Sequence, residues 1–168
     1  MSAKRDGLAG LSFLQALAPF NYPTSAAYSG VSIDMRGYNE CTFVVQIGSG
    51  LGGSAVAWTA QYWNIILEHG LDDGAGAPSS WSIVGLQNVL HSVMGSGGSI
   101  SAITSGIVMT MASTELDTTK VVGYRGDTTH RWVRVRLSET GDASVTFFNV
   151  TAVLGRPSQW PVIEAAGN

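Results

Sequence analysis

The last third of the chain, residues 120–157, has the residue alternation of β-strands. Apolar, β-branched and aromatic residues fill the runs 121–125, 131–137 and 144–154, and no helical spacing of apolar residues crosses them. A short polar segment at 139–142, Glu-Thr-Gly-Asp, separates the last two runs. Two such runs joined by a short turn are typical of an antiparallel hairpin. The segment therefore predicts an all-β protein in which these two runs pair.

Strand-like runs also occupy much of the remaining sequence, at 31–35, 42–47, 55–67, 81–84, 89–94 and 100–111. The run 55–67 is apolar on both faces, which indicates a strand at the centre of a sheet, or a strand whose apolar face switches at a β-bulge. A helix is the competing interpretation, but the β-branched and aromatic residues of the run favour a strand. Turn residues separate the runs, clearest at 70–80. About eight to nine strands at this spacing predict a β-sandwich or a jelly-roll-like barrel.

The sequence divides into an N-terminal arm at 1–29, a single β-sandwich domain at 30–157 and a C-terminal tail at 158–168. The length of 168 residues fits one domain with a real core. Pro19 and Pro23 favour an extended, partly irregular arm. Asp6 and Gly10 interrupt its apolar stretch, which favours an arm that docks on a neighbour over a signal peptide.

The composition is poor in charge, and this bears on the possible partners. Charged residues make up 12% of the chain, about half the usual share, whereas 45% are hydrophobic. Such a surface suits either a protein that assembles with other chains or a neutral, secreted-type β-domain. A net charge of −3 without a basic cluster predicts no nucleic-acid partner. No apolar run is long enough to predict a membrane span.

The sequence shows no pattern of catalytic, metal-binding or cofactor-binding residues, so we predict no enzyme, no metal and no cofactor. His69, His91 and His130 lie in separate segments without ligand spacing, which predicts surface or turn residues. Cys41 lies in an apolar run, which predicts a buried and inert thiol. Residues 72–74, Asp-Asp-Gly, lack the later ligands of a calcium loop and indicate a plain turn. The sequence contains neither a triad order nor a phosphate-binding loop.

The tryptophans and arginines suggest contact surfaces. Of the five tryptophans, Trp58, Trp63 and Trp81 lie in apolar runs and are expected in the core, although aromatic residues on a sandwich face can also stack on sugars. Trp132 alternates with Val133 and Val135, so it is expected outside the core. Tryptophan and arginine are enriched in protein interfaces. The predicted interface residues are Arg131, Trp132, Arg134 and Arg136 in the strand region, and Phe13, Leu14, Leu17 and Trp160 in the arms.

Four blocks of sequence resemble a family of small proteins encoded in tailed phages and prophages next to the major capsid gene. The first comprises 33–38, Ile-Asp-Met-Arg-Gly-Tyr, with 42–48, Thr-Phe-Val-Val-Gln-Ile-Gly. The second, 67–74, reads Leu-Glu-His-Gly-Leu-Asp-Asp-Gly and leads to Trp81. The third joins 122–126, Val-Gly-Tyr-Arg-Gly, to 131–135, and the fourth is 152–157, Ala-Val-Leu-Gly-Arg-Pro. Residues 85–113 are longer and more apolar than the family pattern, and 1–29 have no counterpart.

The resemblance implies a virion structural protein of the capsid decoration (cement) type. Such proteins look like β-rich modules that sit on the outer surface of the capsid, where subunits of the major capsid protein meet, often as homotrimers. The implied partners are the major capsid protein and further copies of this chain. Two other roles remain open, a head–tail joining or tail component and a carbohydrate-binding or host-adhesion module.

Overall fold

The computed structural model describes residues 11–22, 27–48, 62–93, 106–111, 118–140 and 146–157. These residues form two antiparallel sheets packed face to face, which confirms the predicted all-β sandwich. Apart from one short 3-10 turn, Leu86–Asn88, they contain no helix, and therefore none that could span a membrane.

Five of the described strands form the first sheet. Across the sheet they are β1 (Ser12–Tyr22), β11 (Thr146–Pro157), β4 (Tyr38–Ile47), β9 (Thr118–Arg125) and β7 (Val89–Val93). β1 and β7 are thus the two edges among the described strands.

The second sheet contains the other six described strands. Its main order is β2 (Tyr28–Ser29), β10 (Trp132–Thr140), β5 (Tyr62–Asp72) and β6 (Pro78–Ile83). The short β3 (Ile33–Asp34) continues the line of β2 along β10, and β8 (Ile107–Met111) pairs with the first half of β5. β5 therefore lies between neighbours on both sides, which agrees with its apolar pattern. The first part of the predicted run 55–67 lies outside the described residues.

The core forms between the two sheets because each strand sends every second residue inward. Val133, Val135 and Leu137 of β10 are completely buried, as the alternation of this strand predicts. They face the first sheet, whose β11 buries Phe148 and Val150. Across the interior, the rings of Trp63 and Phe148 meet edge to face at 5.5 Å, which ties β5 to the opposite sheet.

The predicted hairpin between the runs 131–137 and 144–154 is wrong. β10 pairs with β2, β3 and β5, whereas β11 pairs with β1 and β4 in the other sheet. The chain therefore passes from the second sheet to the first between β10 and β11. The period-two pattern shows which face of a strand is buried but carries no information about its neighbour. Glu139 and Thr140, expected in the turn, extend β10 instead.

Part of the segment predicted as an N-terminal arm is strand β1, which pairs with β11 along its length. Ala16 and Leu17 of this strand are buried in the core. The carbonyl of Ala16 accepts a hydrogen bond of 2.8 Å from the Val31 N–H on the outer side of β1. A Cβ at Gly30 would lie 2.3 Å from that carbonyl oxygen, so this close approach requires glycine.

The turn predicted within 70–80 is confirmed and is tighter than expected, because β5 continues to Asp72 and β6 starts at Pro78. Asp72 and Asp73 fold the turn with their side chains. Asp72 Oδ1 accepts from the N–H of Gly74 at 3.0 Å, and Asp73 Oδ1 accepts from Ala75 and Ala77 at 2.8 and 2.9 Å. These are aspartate turns of the ordinary kind.

Candidate functional site

Two of the three histidines meet at one end of the sandwich. His69 lies near the end of β5, on the same inward face of the strand as Ile65 and Leu67. His130 lies in the loop 126–131, where the chain passes from β9 in the first sheet to β10 in the second. The two imidazole rings stack with centroids 3.5 Å apart and an angle of 9° between their planes.

Asp127 completes this group, which we call the His69–Asp127–His130 cluster. Its carboxylate lies 2.9 Å (Oδ2) and 3.0 Å (Oδ1) from His130 Nδ1. Oδ2 also lies 3.8 Å from His69 Nδ1, which in turn is 3.3 Å from the Tyr124 hydroxyl. The ligand atoms of the three residues all lie within 4.8 Å of one another.

Backbone hydrogen bonds of the loop hold the Asp127 carboxylate in place. Asp127 Oδ1 accepts hydrogen bonds from the backbone N–H groups of Thr129, at 2.9 Å, and His130, at 2.7 Å. Burial acts to raise the pKa of Asp127, but the hydrogen bonds from His130 and Thr129 outweigh it and hold the pKa below its usual range. Asp127 is therefore an anion at neutral pH, held in one orientation.

His69 is buried, with 7% of its surface exposed, and is kept neutral at pH 7. Burial lowers its pKa because the charged imidazolium loses its hydration, and the nearby His130 lowers it further. The attraction of Asp127 acts in the opposite direction and is the weaker effect. A neutral imidazole offers a free lone pair, which is the form that binds metal ions.

The cluster opens on one side into a groove of about 420 Å³. Asp127, His130 and Arg131 line it from the loop, and Met35 and Tyr38 line it from the segment between β3 and β4. His69 does not line the groove, so the cluster has a buried member and two members that solvent can reach.

The arginines predicted as interface residues are already paired within the chain. Arg131 donates to both carboxylate oxygens of Asp34, from Nε at 2.9 Å and from Nη2 at 2.8 Å, and also to Asp72. Burial acts to raise the pKa of Asp34, but its hydrogen bonds with Arg131 and Arg36 dominate and lower that pKa to about 2. Arg131, which directly precedes β10, thus links the start of that strand to β3 and β5.

A second ion-pair group covers the outer face of the second sheet. Glu68 of β5 accepts from Arg134 Nε at 2.8 Å and lies 2.7 Å from Arg136 Nε. The guanidinium of Arg134 lies over the Trp81 ring at 4.0 Å, and that of Arg131 over the Trp132 ring at 4.9 Å. The strand alternation correctly places Trp132, Arg134 and Arg136 outside the core. The charges of the arginines, however, bind neighbours of the same chain. The expectation of a core position is wrong for Trp81, which is only half-buried and lies under Arg134.

The predicted interface residues of the arm have separate positions. Phe13 and Leu14 are on β1 and are 61% and 39% exposed, whereas Leu17 is 3% exposed and packs in the core. Trp160 lies outside the described residues. Phe20 was not predicted, although it is another exposed aromatic residue of β1.

The expectation of surface or turn histidines is wrong for His69, which is buried on β5, and correct for His130, which lies in a loop; the contact between the two was not predicted. Period-two alternation from Ile65 would have placed His69 inward, but the approach of the loop 126–131 depends on the sheet crossing, which no local pattern encodes. The side chain of His91 lies outside the described residues. Cys41 is buried as predicted, and burial raises the pKa of its thiol to about 12.

Comparisons with protein-family models, with curated proteins and with solved structures found no match.

Proposed function

We propose that this chain is a virion structural protein that decorates a phage capsid, as a homo-oligomer on the outer surface where subunits of the major capsid protein meet. The four sequence blocks between residues 33 and 157 support this role through their resemblance to proteins encoded beside capsid genes. The alternative, a head–tail joining or tail component, uses the same kind of contact surface but predicts that the copies form a ring of higher order.

The observation that carries the proposal is the apolar edge at β1. Within the part of the chain that the structure describes, β1 pairs only with β11, and Phe13, Leu14 and Phe20 are exposed on it. Monomeric proteins usually protect a sheet edge with charges, prolines or bulges. β1 has bulges between Gln15 and Phe20 together with Pro19, but its first residues, Ser12 to Gln15, pair regularly and carry no charge.

The side chains exposed on this segment favour contact with another chain. Fully burying a phenylalanine or leucine contributes about 1.5–3 kcal/mol. The Ala16 carbonyl is already bonded to Val31, so the open part of the edge ends there. We call the segment formed by Leu11, Phe13 and Leu14 the β1 edge patch, and we assign to it the contact between copies of the chain.

The strand order supports a finer proposal, that the sandwich is a jelly roll. We count β2 and β3 as one broken strand and leave out β7 and β8. When the remaining eight strands are renumbered 1 to 8 in chain order, the first sheet has the strand order 1-8-3-6 and the second sheet has the order 2-7-4-5. Two interleaved Greek keys give this order, and jelly rolls recur in viral capsid and lectin domains. This is an argument by analogy of fold, and it supports the virion role without specifying a site.

A sugar-binding role has weaker support from the second sheet. Sugars stack on open aromatic faces, whereas guanidinium groups lie over the rings of Trp81 and Trp132. A sugar would have to displace Arg134 from both Trp81 and Glu68. We therefore favour protein contacts over carbohydrate binding.

Binding to capsids tests the proposal. A decoration protein stabilises the assembled shell by mass action, because it binds the shell and not the free subunits. The purified chain should co-sediment with expanded capsids at a fixed stoichiometry and should not bind free capsid subunits. The double variant Phe13→Ser/Leu14→Ser should bind less, whereas Leu86→Ser, an equally exposed apolar site beside the opposite edge strand β7, should bind normally. Absence of the wild-type chain from the capsid pellet would refute the role.

A further inference from the structure

We propose that His69, Asp127 and His130 form a binding site for a divalent transition-metal ion of the zinc class. This inference rests on the cluster alone and stands whether or not the chain decorates a capsid. Two imidazoles and one carboxylate are a ligand set that zinc takes when a further position remains for water.

The distances between the ligand atoms fit one shared ion. Ligands about 2.0–2.1 Å from a tetrahedral zinc ion are separated from one another by roughly 3.3 Å. Asp127 Oδ2 lies 2.9 Å from His130 Nδ1 and 3.8 Å from His69 Nδ1, so the two separations bracket that value. The ligand atoms of all three residues lie within 4.8 Å of one another, so one ion can meet them once a side chain rearranges.

Neighbouring groups of the protein hold two of the ligands, Asp127 and His69, in fixed orientations. The backbone N–H groups of Thr129 and His130 bind Oδ1 of Asp127, which leaves Oδ2 directed toward both histidines. His69 is held by β5 and is buried, so its ring has little freedom. Supporting hydrogen bonds of this kind orient metal ligands in proteins.

The geometry also indicates which part must move. A metal ion lies in the plane of an imidazole ring, but the two rings are stacked 3.5 Å apart and nearly parallel. One ring must therefore turn when the ion binds. His130 is the ring that can turn, because it lies in a loop and its side chain is 21% exposed.

The ligand types select the metal, and the groove supplies the open position. Calcium and magnesium prefer sites made of oxygen atoms, whereas imidazole nitrogen suits zinc, copper, nickel and cobalt. Asp127 and His130 line the groove, so water can complete the coordination there. A bound ion would link β5 to the loop between the sheets, and binding to the folded state alone would stabilise the fold.

Titration of the full-length, tag-free chain with Zn²⁺ tests the site, with Mg²⁺ in parallel. Zn²⁺ should bind at one site per chain and should raise the unfolding temperature, and Mg²⁺ should do neither. Loss of a supporting residue costs metal sites about 10- to 100-fold in affinity, so loss of a ligand should cost at least about 100-fold.

Two variants and one control locate the ion. Asp127→Asn keeps an oxygen that accepts the backbone N–H bonds of the loop but removes the negative charge, and His130→Gln alters a partly exposed ligand. Both should lose Zn²⁺ binding, whereas Thr128→Ala in the same loop should keep it. Zn²⁺ affinity that is unchanged in both variants would overturn the proposal.

The wild-type chain gives a readout that does not depend on variants. NMR of the histidine side chains should show the ring resonances of His69 and His130 shifting together as one equivalent of Zn²⁺ is added, because the stack opens. If the Zn²⁺-induced shifts spare these two rings, the site is refuted even if the chain binds zinc elsewhere.

Discussion

The β1 edge patch and the arginine face of β10 differ in whether their chemistry is already used within the chain. Arg131, Arg134 and Arg136 have the residue types of an interface, yet each is paired with a carboxylate of the same molecule. Phe13 and Leu14 lack any charge and are exposed. Residue type alone favoured the arginine face, whereas the contacts favour the edge patch.

Several of the few charged residues of the chain are used in ion pairs around β10. Glu68, Asp34 and Asp72 each contact one or two of the arginines around β10, so much of the small number of charges serves to connect strands of the second sheet. The apolar surface at β1 has no such role in the fold. A partner chain is the simplest reason for keeping phenylalanine and leucine there.

Substitutions at Leu17 and Phe13 of β1 should distinguish a residue that stabilises the fold from one that contacts a partner. The loss of stability in Leu17→Ala is the largest effect that we expect. Leu17→Ala removes a buried side chain and should lower the free energy of unfolding by about 3 kcal/mol. Phe13→Ala changes an exposed position and should stay within about 0.5 kcal/mol. Denaturant unfolding of the dilute protein measures both. Equal losses would mean that Phe13 is also part of the core, and the comparison would fail.

On the arginine face, Glu68→Gln should be the most costly change. Glu68 is 8% exposed and faces two arginines, so the variant leaves both guanidinium groups without their anion. Breaking a buried pair costs about 3–5 kcal/mol, and we expect about 2 kcal/mol because the arginines reach solvent. Arg36→Gln breaks an exposed pair with Asp34 and should cost under about 0.5 kcal/mol. A smaller loss for Glu68→Gln than for Arg36→Gln would contradict a structural role for this face.

Asp34 should give a smaller effect than Leu17 or Glu68, visible as a dependence on pH. Its pKa is lowered from 3.8 to about 2 in the folded state, so the unfolded chain binds its proton more readily. The resulting stability is present above about pH 4 and is lost as the pH falls through the folded-state pKa. After allowance for solvent screening we expect about 1 kcal/mol. Asp34→Asn should be less stable than the wild type by this amount at pH 7, and the difference should vanish below about pH 2. If the free energies of unfolding of the two proteins fall in parallel as the pH is lowered, Asp34 does not contribute this stability.

The sequence predicts the faces of the strands better than their neighbours. The alternation of Val133 and Val135 with Trp132 and Arg134 defined the buried face of β10 correctly, because burial follows the two-residue period. The same pattern could not show that β10 pairs with β5 and crosses over before β11. Strand pairing depends on contacts between distant segments, which local alternation does not predict.

The His69–Asp127–His130 cluster was missed for the same reason. Its members lie in two segments that only the crossing between sheets brings together. The aspartate turn at 127–130 and the inward parity of His69 were both readable as local features. Their convergence required the complete topology.

Sedimentation equilibrium across a range of concentrations tests the central claim, that the free β1 edge and not the arginine face is the contact surface. The wild type should form a discrete oligomer, and Phe13→Ser/Leu14→Ser should weaken its association by about 100-fold or more, since two apolar side chains lose their burial. Arg134→Gln should keep the oligomer of the wild type. A monomeric wild type, or an oligomer that survives the change at β1 and dissociates in Arg134→Gln, would contradict the claim.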